Sequence, residues 1–510
     1  MIMNHPGLPD SWMWLAVMLM LITVAWTFVK TPKKNSKQVF IAVERIPLLG
    51  QLAKLFSASP WPLLIFKFVS VALFLTVIAA GLWGTPIAER NLATTLTWTV
   101  WWAGLIITVF FLGSAWCAVC PWDTLASWLV KRRLWRRADA AASLGLKVPK
   151  IWRNVWPALA MFVGLTWLEL GVGVTTNPYA TAVLSLVMIV MSTIYMAVFE
   201  GKAFCKYVCP VGRTVGFYAQ LSMVELRPRE QQTCSDCKTM ECYHGTEEIE
   251  PCPTHLVMGS LKQSTYCTSC SACTMSCPHN NVGWRIRSPA VEAIQHARPH
   301  WDEAWFMLGL LGLTTFHGIT MLEVWEQALS RFGQLIGDSG QLIMSFSVGM
   351  LLVFIAPVLL YSLLIKLTQL LLPNKIDFKQ LFSKLAFISL PMAFVYHIAH
   401  NLNHLIRESR GFTDVLMNPL GSGSLPLSSQ ELHMRHMSPL MYEELLYGLQ
   451  AGLMFFGFWL AMQILQRRTM ESISEQSGWR GYYLLPGTLF IAGVTAFNLW
   501  LLAQPMVMRM

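Results

Sequence analysis

Apolar runs long enough to span a hydrocarbon core, about 20 residues each, recur along the whole chain. They lie near residues 12–29, 62–84, 95–114, 155–174, 179–199, 303–325, 342–372, 384–405, 443–465 and 482–504. The pattern predicts an all-α polytopic membrane protein with about ten transmembrane helices. The seventh run is longer than a bilayer needs, so it is expected to tilt, kink or run on past the membrane. The first run, Trp12 to Val29, lacks a basic leader region and a small-residue cleavage site, and reads as a span.

Composition agrees. Of 510 residues, 54% are hydrophobic and only 13% charged, against about a quarter charged in soluble domains. Basic residues then set the orientation. With the N-terminus outside, the inward connections carry "KTPKKNSK", "KRRLWRR" and "QRR". The outward ones hold only Arg90, Arg331, Arg407, Arg410, Arg435 and Arg509 of the 38 Lys and Arg. The net charge of +10 follows from this topology and an anionic inner leaflet, so membrane lipid is the implied partner and nucleic acid is not.

All twelve cysteines fall in the inward segments. In a reducing compartment clustered thiols read as metal ligands before disulfides. "CTSCSACTMSCP" gives Cys267, Cys270, Cys273 and Cys277-Pro278, the bacterial ferredoxin run, whose fourth cysteine ligates the other cluster. Upstream, "CSDCKTMEC" supplies Cys234, Cys237 and Cys242, followed by Cys252-Pro253. Crossed ligation predicts one [4Fe-4S] cluster on Cys234, Cys237, Cys242 and Cys277, and another on Cys267, Cys270, Cys273 and Cys252. The upstream spacing carries two extra residues before Cys242, and a zinc site is the alternative on that half.

The remaining four cysteines lie in a repeat. "FLGSAWCAVCP" and "FEGKAFCKYVCP" share Phe-x-Gly-x-Ala-aromatic-Cys, then a second Cys and Pro, each after a hairpin of two apolar runs. Cys117 and Cys120 are therefore expected to face Cys205 and Cys209 at the inner rim of the bilayer, as a third iron-containing centre. Paired helix-end turns with buried free thiols are the alternative.

Paired Cys-Pro turns at membrane-helix ends, followed by a two-cluster ferredoxin segment, resemble the membrane polyferredoxins of the NapH/NosR/CcoG type over roughly residues 60–300. The resemblance implies electron transfer in a bacterial cytoplasmic (inner) membrane, with clusters on the cytoplasmic side. It implies a quinone or cytoplasmic electron donor and a periplasmic redox partner, as in a quinol dehydrogenase-like oxidoreductase component. The first turn, Cys-x2-Cys-Pro, departs from the family's usual Cys-x3-Cys-Pro, and no flavin-binding or immunoglobulin-like domain of the kind some members carry is visible.

The second half has no cysteine but an unusual histidine set. "FVYHIAHNLNHLIRE" places His397, His400 and His404 on one helical face, and His317 lies in the sixth run. Counted from Trp325 and Leu405 as outer ends, His317 and His397 both fall roughly 12 Å deep, as axial ligands of a haem b would. Quinone at His400 or His404 is a further candidate, and packed structural histidines are the alternative. Copper is suggested by "ELHMRHM", with His433, Met434, His436 and Met437, and by the Met-rich "QPMVMRM". That would make the protein a copper reductase or delivery factor, and a redox sensor is a third reading. Glu169 is a candidate proton carrier. The organisation expected is an N-terminal helix and basic loop (1–61), a membrane domain with the Cys-Pro turns (62–229), a cytoplasmic ferredoxin-like domain (230–302) and a second membrane domain (303–510).

Overall fold

The computed structural model describes residues 4–30, 40–134, 142–373, 376–431, 434, 440–473 and 480–507. Its long helices follow the apolar runs: α1 (Asp10–Val29), α2 (Trp61–Trp83), α3 (Leu92–Leu112), α4 (Trp156–Val172), α5 (Pro178–Val198), α6 (Trp301–Thr320), α7 (Ile343–Leu371), α8 (Phe378–Glu408), α9 (Glu443–Met470) and α10 (Gly481–Ala503). Among the described residues, eight of these pass as spans by length and composition. The other two segments differ from expectation. α4 is apolar but short, and α6 stops at Thr320 and turns through 90° into Glu323–Ile336. The second piece is amphipathic, with Glu323, Glu326, Gln327, Ser330, Arg331 and Gln334 among its apolar residues, a composition suited to lying in an interface. The length of α7 is accommodated around an internal Pro357, which removes one helix hydrogen bond.

α8 forms the axis of the second half. It is buried on nearly all sides and packs against α9, α6, α3 and α10. α1, α2, α5 and α7 keep most of their apolar surface exposed, as lipid-facing helices do. α1 packs on α9 and α10, so it joins the C-terminal membrane unit. A short antiparallel pair, β1 (Asn4–His5) with β5 (Met506–Val507), ties the two ends of the described chain together.

The fold is mostly helical, but the cysteine insert rests on a three-stranded antiparallel sheet. Its order is β2 (Ile41–Ala42), β4 (Val282–Ile286), β3 (Val224–Pro228). β2 and β3 lie outside residues 230–302, so boundaries at 61/62 and 229/230 cut through one sheet. Short strands paired across more than 200 residues leave little local signature.

Beneath this sheet lies a buried ionic net. Arg287 donates to Glu225 at 2.7 Å and pairs with Glu292 at 2.6 Å; Arg227 also pairs with Glu292. These four side chains are at most 5% exposed. Glu292 also accepts from the Ser264 backbone N–H (2.6 Å) and hydroxyl (2.8 Å), while Arg287 donates to the carbonyls of Ala219 and Ser222. Removing one partner of such a net strands a charge in low dielectric, at a cost of about 3–5 kcal/mol. We predict that Glu292→Gln lowers stability by about that amount in thermal unfolding of the purified protein. The exposed pair Arg90–Glu431 (3.4 Å) is the control, where Glu431→Gln should cost less than about 1 kcal/mol. Equal shifts would mean the net anchors nothing.

Candidate iron-sulfur sites and an aromatic cavity

The two repeated turns are built alike. Gly113 (φ +58°) ends α3 and Gly201 (φ +64°) follows α5, and both take a backbone conformation that a side chain would strain. A short helix then carries the first cysteine, Trp116–Val119 with Cys117 and Ala203–Tyr207 with Cys205. The second cysteine is the N-cap of the next helix, Pro121–Lys131 after Cys120 and Pro210–Tyr218 after Cys209, with proline at its first position. The Gly212 N–H donates to Cys209 Sγ at 3.2 Å, and the Asp123 N–H does the same for Cys120. Each second sulfur thus sits at a helix N-terminus, which favours a thiolate.

The structure brings these four cysteines together: Cys209 is electrostatically coupled to Cys117, Cys120 and Cys205, and Cys120 to Cys117 and Cys205. Burial pushes the Cys117 thiol up to about 12 and that of Cys209 up to about 11. Four thiolates here therefore need a compensating positive charge, which a bound metal centre supplies. Three neighbours had gone unnoticed in the sequence. Asp123 accepts from the Cys205 thiol (3.6 Å) and pairs with Lys202 (2.6 Å), and buried Arg213 donates to the Cys205 and Thr265 carbonyls. Gly216, one turn further along, allows the Thr265 carbonyl within 2.1 Å of where a Cβ would stand.

The other eight cysteines line two cavities. Cys234, Cys237, Cys242 and Cys277 surround one, and Cys252, Cys267, Cys270 and Cys273 the other. Among the described residues no three His, Cys, Asp or Glu converge as a single-ion site; each quartet frames a space instead. The halves match in detail. Met240 (φ +48°) and Ser271 (φ +59°) each stand two residues before Cys242 and Cys273, and His255 and Asn280 take positive φ three residues after Cys252 and Cys277. The N–H four residues after each Cys-Pro cysteine donates to its sulfur, Leu256 to Cys252 at 3.3 Å and Asn281 to Cys277 at 3.4 Å. The two extra residues before Cys242 are absorbed ahead of Met240, leaving Cys242 on the cavity wall.

The quartets form a series. Ser114 in the first turn hydrogen-bonds Ser269 (2.9 Å), and the Lys202 N–H donates to the Pro253 carbonyl (2.7 Å). The set on Cys252, Cys267, Cys270 and Cys273 is therefore proximal to the membrane turns, and the set containing Cys237 is distal. Burial pushes Cys267 up to about 11, whereas hydrogen bonds from the Met240 N–H and the Thr239 hydroxyl pull Cys237 down.

Below the turns lies an inner chamber of about 80 Å³, lined by Trp98, Trp101, Trp102, Trp122, Pro210 and Val211 and by Glu169, His317, His397 and His400. It shares Trp98, Glu169, His317 and His400 with a vestibule of about 500 Å³ that adds His404 and Glu408. Two π-helical segments, Thr95–Trp101 and Leu168–Val172, contribute Trp98, Trp101 and Glu169, as π turns often do at functional sites.

His317 and His397, expected as a haem pair, both line the chamber. The Trp102 indole, which can only donate, reaches His397 Nε2 at 3.1 Å, and the Tyr218 hydroxyl lies 3.3 Å from Nδ1. Both ring nitrogens are engaged. α6 ends three residues after His317 and α8 eleven after His397, yet both side chains reach the same chamber. His317 Nε2 lies 3.6 Å from Glu169, and His404 Nδ1 bonds Glu408 at 2.5 Å. Of the copper candidates, Met434 is exposed, and His433, His436 and Met437 lie outside the described residues.

Comparison with known proteins lands on the repeated turns. The family profile described as "4Fe-4S binding domain" matches residues 94–138 and 181–222, the segments carrying Cys117 and Cys120, then Cys205 and Cys209. Over 142 residues the chain is 27% identical to "Putative electron transport protein YccM" of Escherichia coli (strain K12), covering 26% of this chain and 37% of that protein. The chain thus spans little more than a third of the length of this curated relative. No solved structure matches. The chain carries a 4Fe-4S binding segment within a set of membrane-type helices.

The quartets make a direct prediction for the insert. Cys277→Ser is expected to alter the EPR signal and iron content of the distal set while sparing that of the proximal one. Damage confined to the set on Cys267, Cys270 and Cys273 would reverse the assignment.

Proposed function

We propose that this protein transfers electrons through three [4Fe-4S] centres, between a quinone in the membrane and a soluble redox partner. The observation that carries the reading is the unbroken series from chamber to surface. Trp122, Pro210 and Val211 line the chamber and belong to the helices that follow the rim cysteines. The rim turns touch the proximal quartet, and the proximal quartet adjoins the distal one, with Cys273 coupled to Cys242. Bound at these quartets, iron-sulfur centres supply one-electron redox chemistry. The chain's own residues would hold the sulfurs and donate N–H bonds that tune them. The similarity to an electron transport protein of E. coli and the resemblance to NapH/NosR/CcoG polyferredoxins support the same reading.

Quinone suits the chamber better than haem does, because His397 offers no free nitrogen while the indoles provide flat apolar walls. We place the insert on the cytoplasmic side of a bacterial inner membrane and the N-terminus in the periplasm. The basic connections support this. The β1–β5 pair is consistent with both described ends on one side, which eight or ten crossings satisfy alike. Direction has an energetic consequence. An electron crossing the whole core toward a negative interior works against about 2.3 kcal/mol per 100 mV, so quinone reduction by the clusters is assisted and quinol oxidation opposed.

Purified protein should contain about twelve iron and twelve labile sulfide. Cys117→Ser should remove about four of each while the two insert signals persist, and should stop electron exchange between quinone and the insert. Unchanged iron, or exchange at the wild-type rate, would remove the rim centre from the chain.

A further inference from the structure

Among the described residues, three buried side-chain atoms of the chamber lining have no hydrogen-bond partner: the indole Nε1 of Trp101, the indole Nε1 of Trp122 and Nδ1 of His400. The other two chamber indoles are satisfied internally, Trp98 by Thr181 (3.0 Å) and Trp102 by His397. Two unmet donors at the cysteine end and an unmet imidazole nitrogen at the histidine end suit a flat ring with an oxygen at each end. His400 is only 4% exposed, yet it borders both the chamber and the vestibule. Its ring lies 4.9 Å from that of His404. His404 bonds Glu408 at 2.5 Å, and Glu408 accepts from Thr99 at 3.4 Å on the vestibule side. The sequence shows these residues only as one face of α8. The structure adds that the face connects two cavities.

We infer that His400, His404 and Glu408 form a proton line between the chamber and the vestibule. Quinol and quinone interconvert by the loss or gain of two electrons and two protons. The electrons pass at the end bordered by Trp122 and Pro210, where the iron-sulfur centres proposed above accept or supply them. The protons pass at the opposite end, from the ring oxygen beside His400 to His404, to Glu408 and into the vestibule, or back along the same line. The inference rests on the quinone reading of the chamber and adds the side on which protons leave and the groups that carry them. His400 contacts the ligand; His404 and Glu408 act beyond it, so their loss should slow turnover without weakening binding.

The test uses the full-length protein in liposomes with the insert facing the lumen, ubiquinone-1 and ubiquinol-1 as probes, and a lumenal one-electron acceptor. In the wild type, ubiquinone-1 should quench tryptophan fluorescence saturably, and ubiquinol-1 oxidation should acidify the external medium. Glu408→Gln and His404→Gln should each cut the maximal rate about tenfold or more, with unchanged half-saturation, quenching and iron content. His400→Ala should weaken both quenching and rate. Wild-type rates in both the Glu408 and His404 variants, or protons appearing in the lumen, would overturn the proton line while leaving the quinone site intact. Absence of saturable quenching in the wild type, or a Soret band from bound haem, would overturn the quinone reading and the line with it. Should His404→Gln not fold, Glu408→Gln at the vestibule edge decides the matter alone.

Discussion

The buried net of Arg227, Arg287, Glu225 and Glu292 sets the relative position of every other part. It joins the insert sheet to Ser264 beside the proximal quartet, to the carbonyls that end the helix after Cys209, and to the turn that leads into α6. Desolvating each ion costs several kcal/mol, so little net stability comes from the pairs themselves. What they impose is that no single element can leave without stranding a charge. An electron-transfer series needs that kind of constraint, since its rate depends on fixed spacing more than on any one contact.

Electrostatics runs the same way along the series. At the rim Cys209 is buried and Cys117, Cys120 and Cys205 are half-buried, with Arg213 and Lys202 close by and Asp123 beside them. At the distal set Cys237 is partly open and stabilised as a thiolate by hydrogen bonds. A centre in low dielectric beside cations and a centre near water are held at different potentials by different means. The graded burial is thus a way of ordering potentials as well as excluding solvent.

The cysteine chemistry was legible in the sequence because ligand spacing is local. Cys267, Cys270, Cys273 and Cys277 announce themselves, and the Phe-x-Gly-x-Ala-aromatic-Cys repeat points at Cys117 and Cys205. The second sheet strand at Ile41–Ala42 was not legible, since two residues paired across the chain carry no period. The end of α6 at Thr320 was also hidden: "TMLEVWE" has neither glycine nor proline, and Glu323 and Glu326 interrupt an otherwise apolar stretch without marking a bend. The chamber was invisible for another reason. Trp98 and Trp101 reach it through a π-helical segment, and an apolar run reads the same whether its turns are α or π.

The chamber explains why the two membrane halves belong to one machine. α3, α4 and the helix after Cys120 supply its indoles and Glu169; α6 and α8 of the second half supply His317, His397 and His400. Tyr218, at the end of the helix that Cys209 caps, reaches across to His397. The side chain that looked like a haem ligand is therefore a strut between the cysteine turns and the central helix. Holding both of its nitrogens fixes its tautomer, with Nε2 accepting and Nδ1 donating, and keeps it out of proton traffic. Proton exchange is left to His400 and its neighbours on the same face of α8, one helical turn nearer the vestibule.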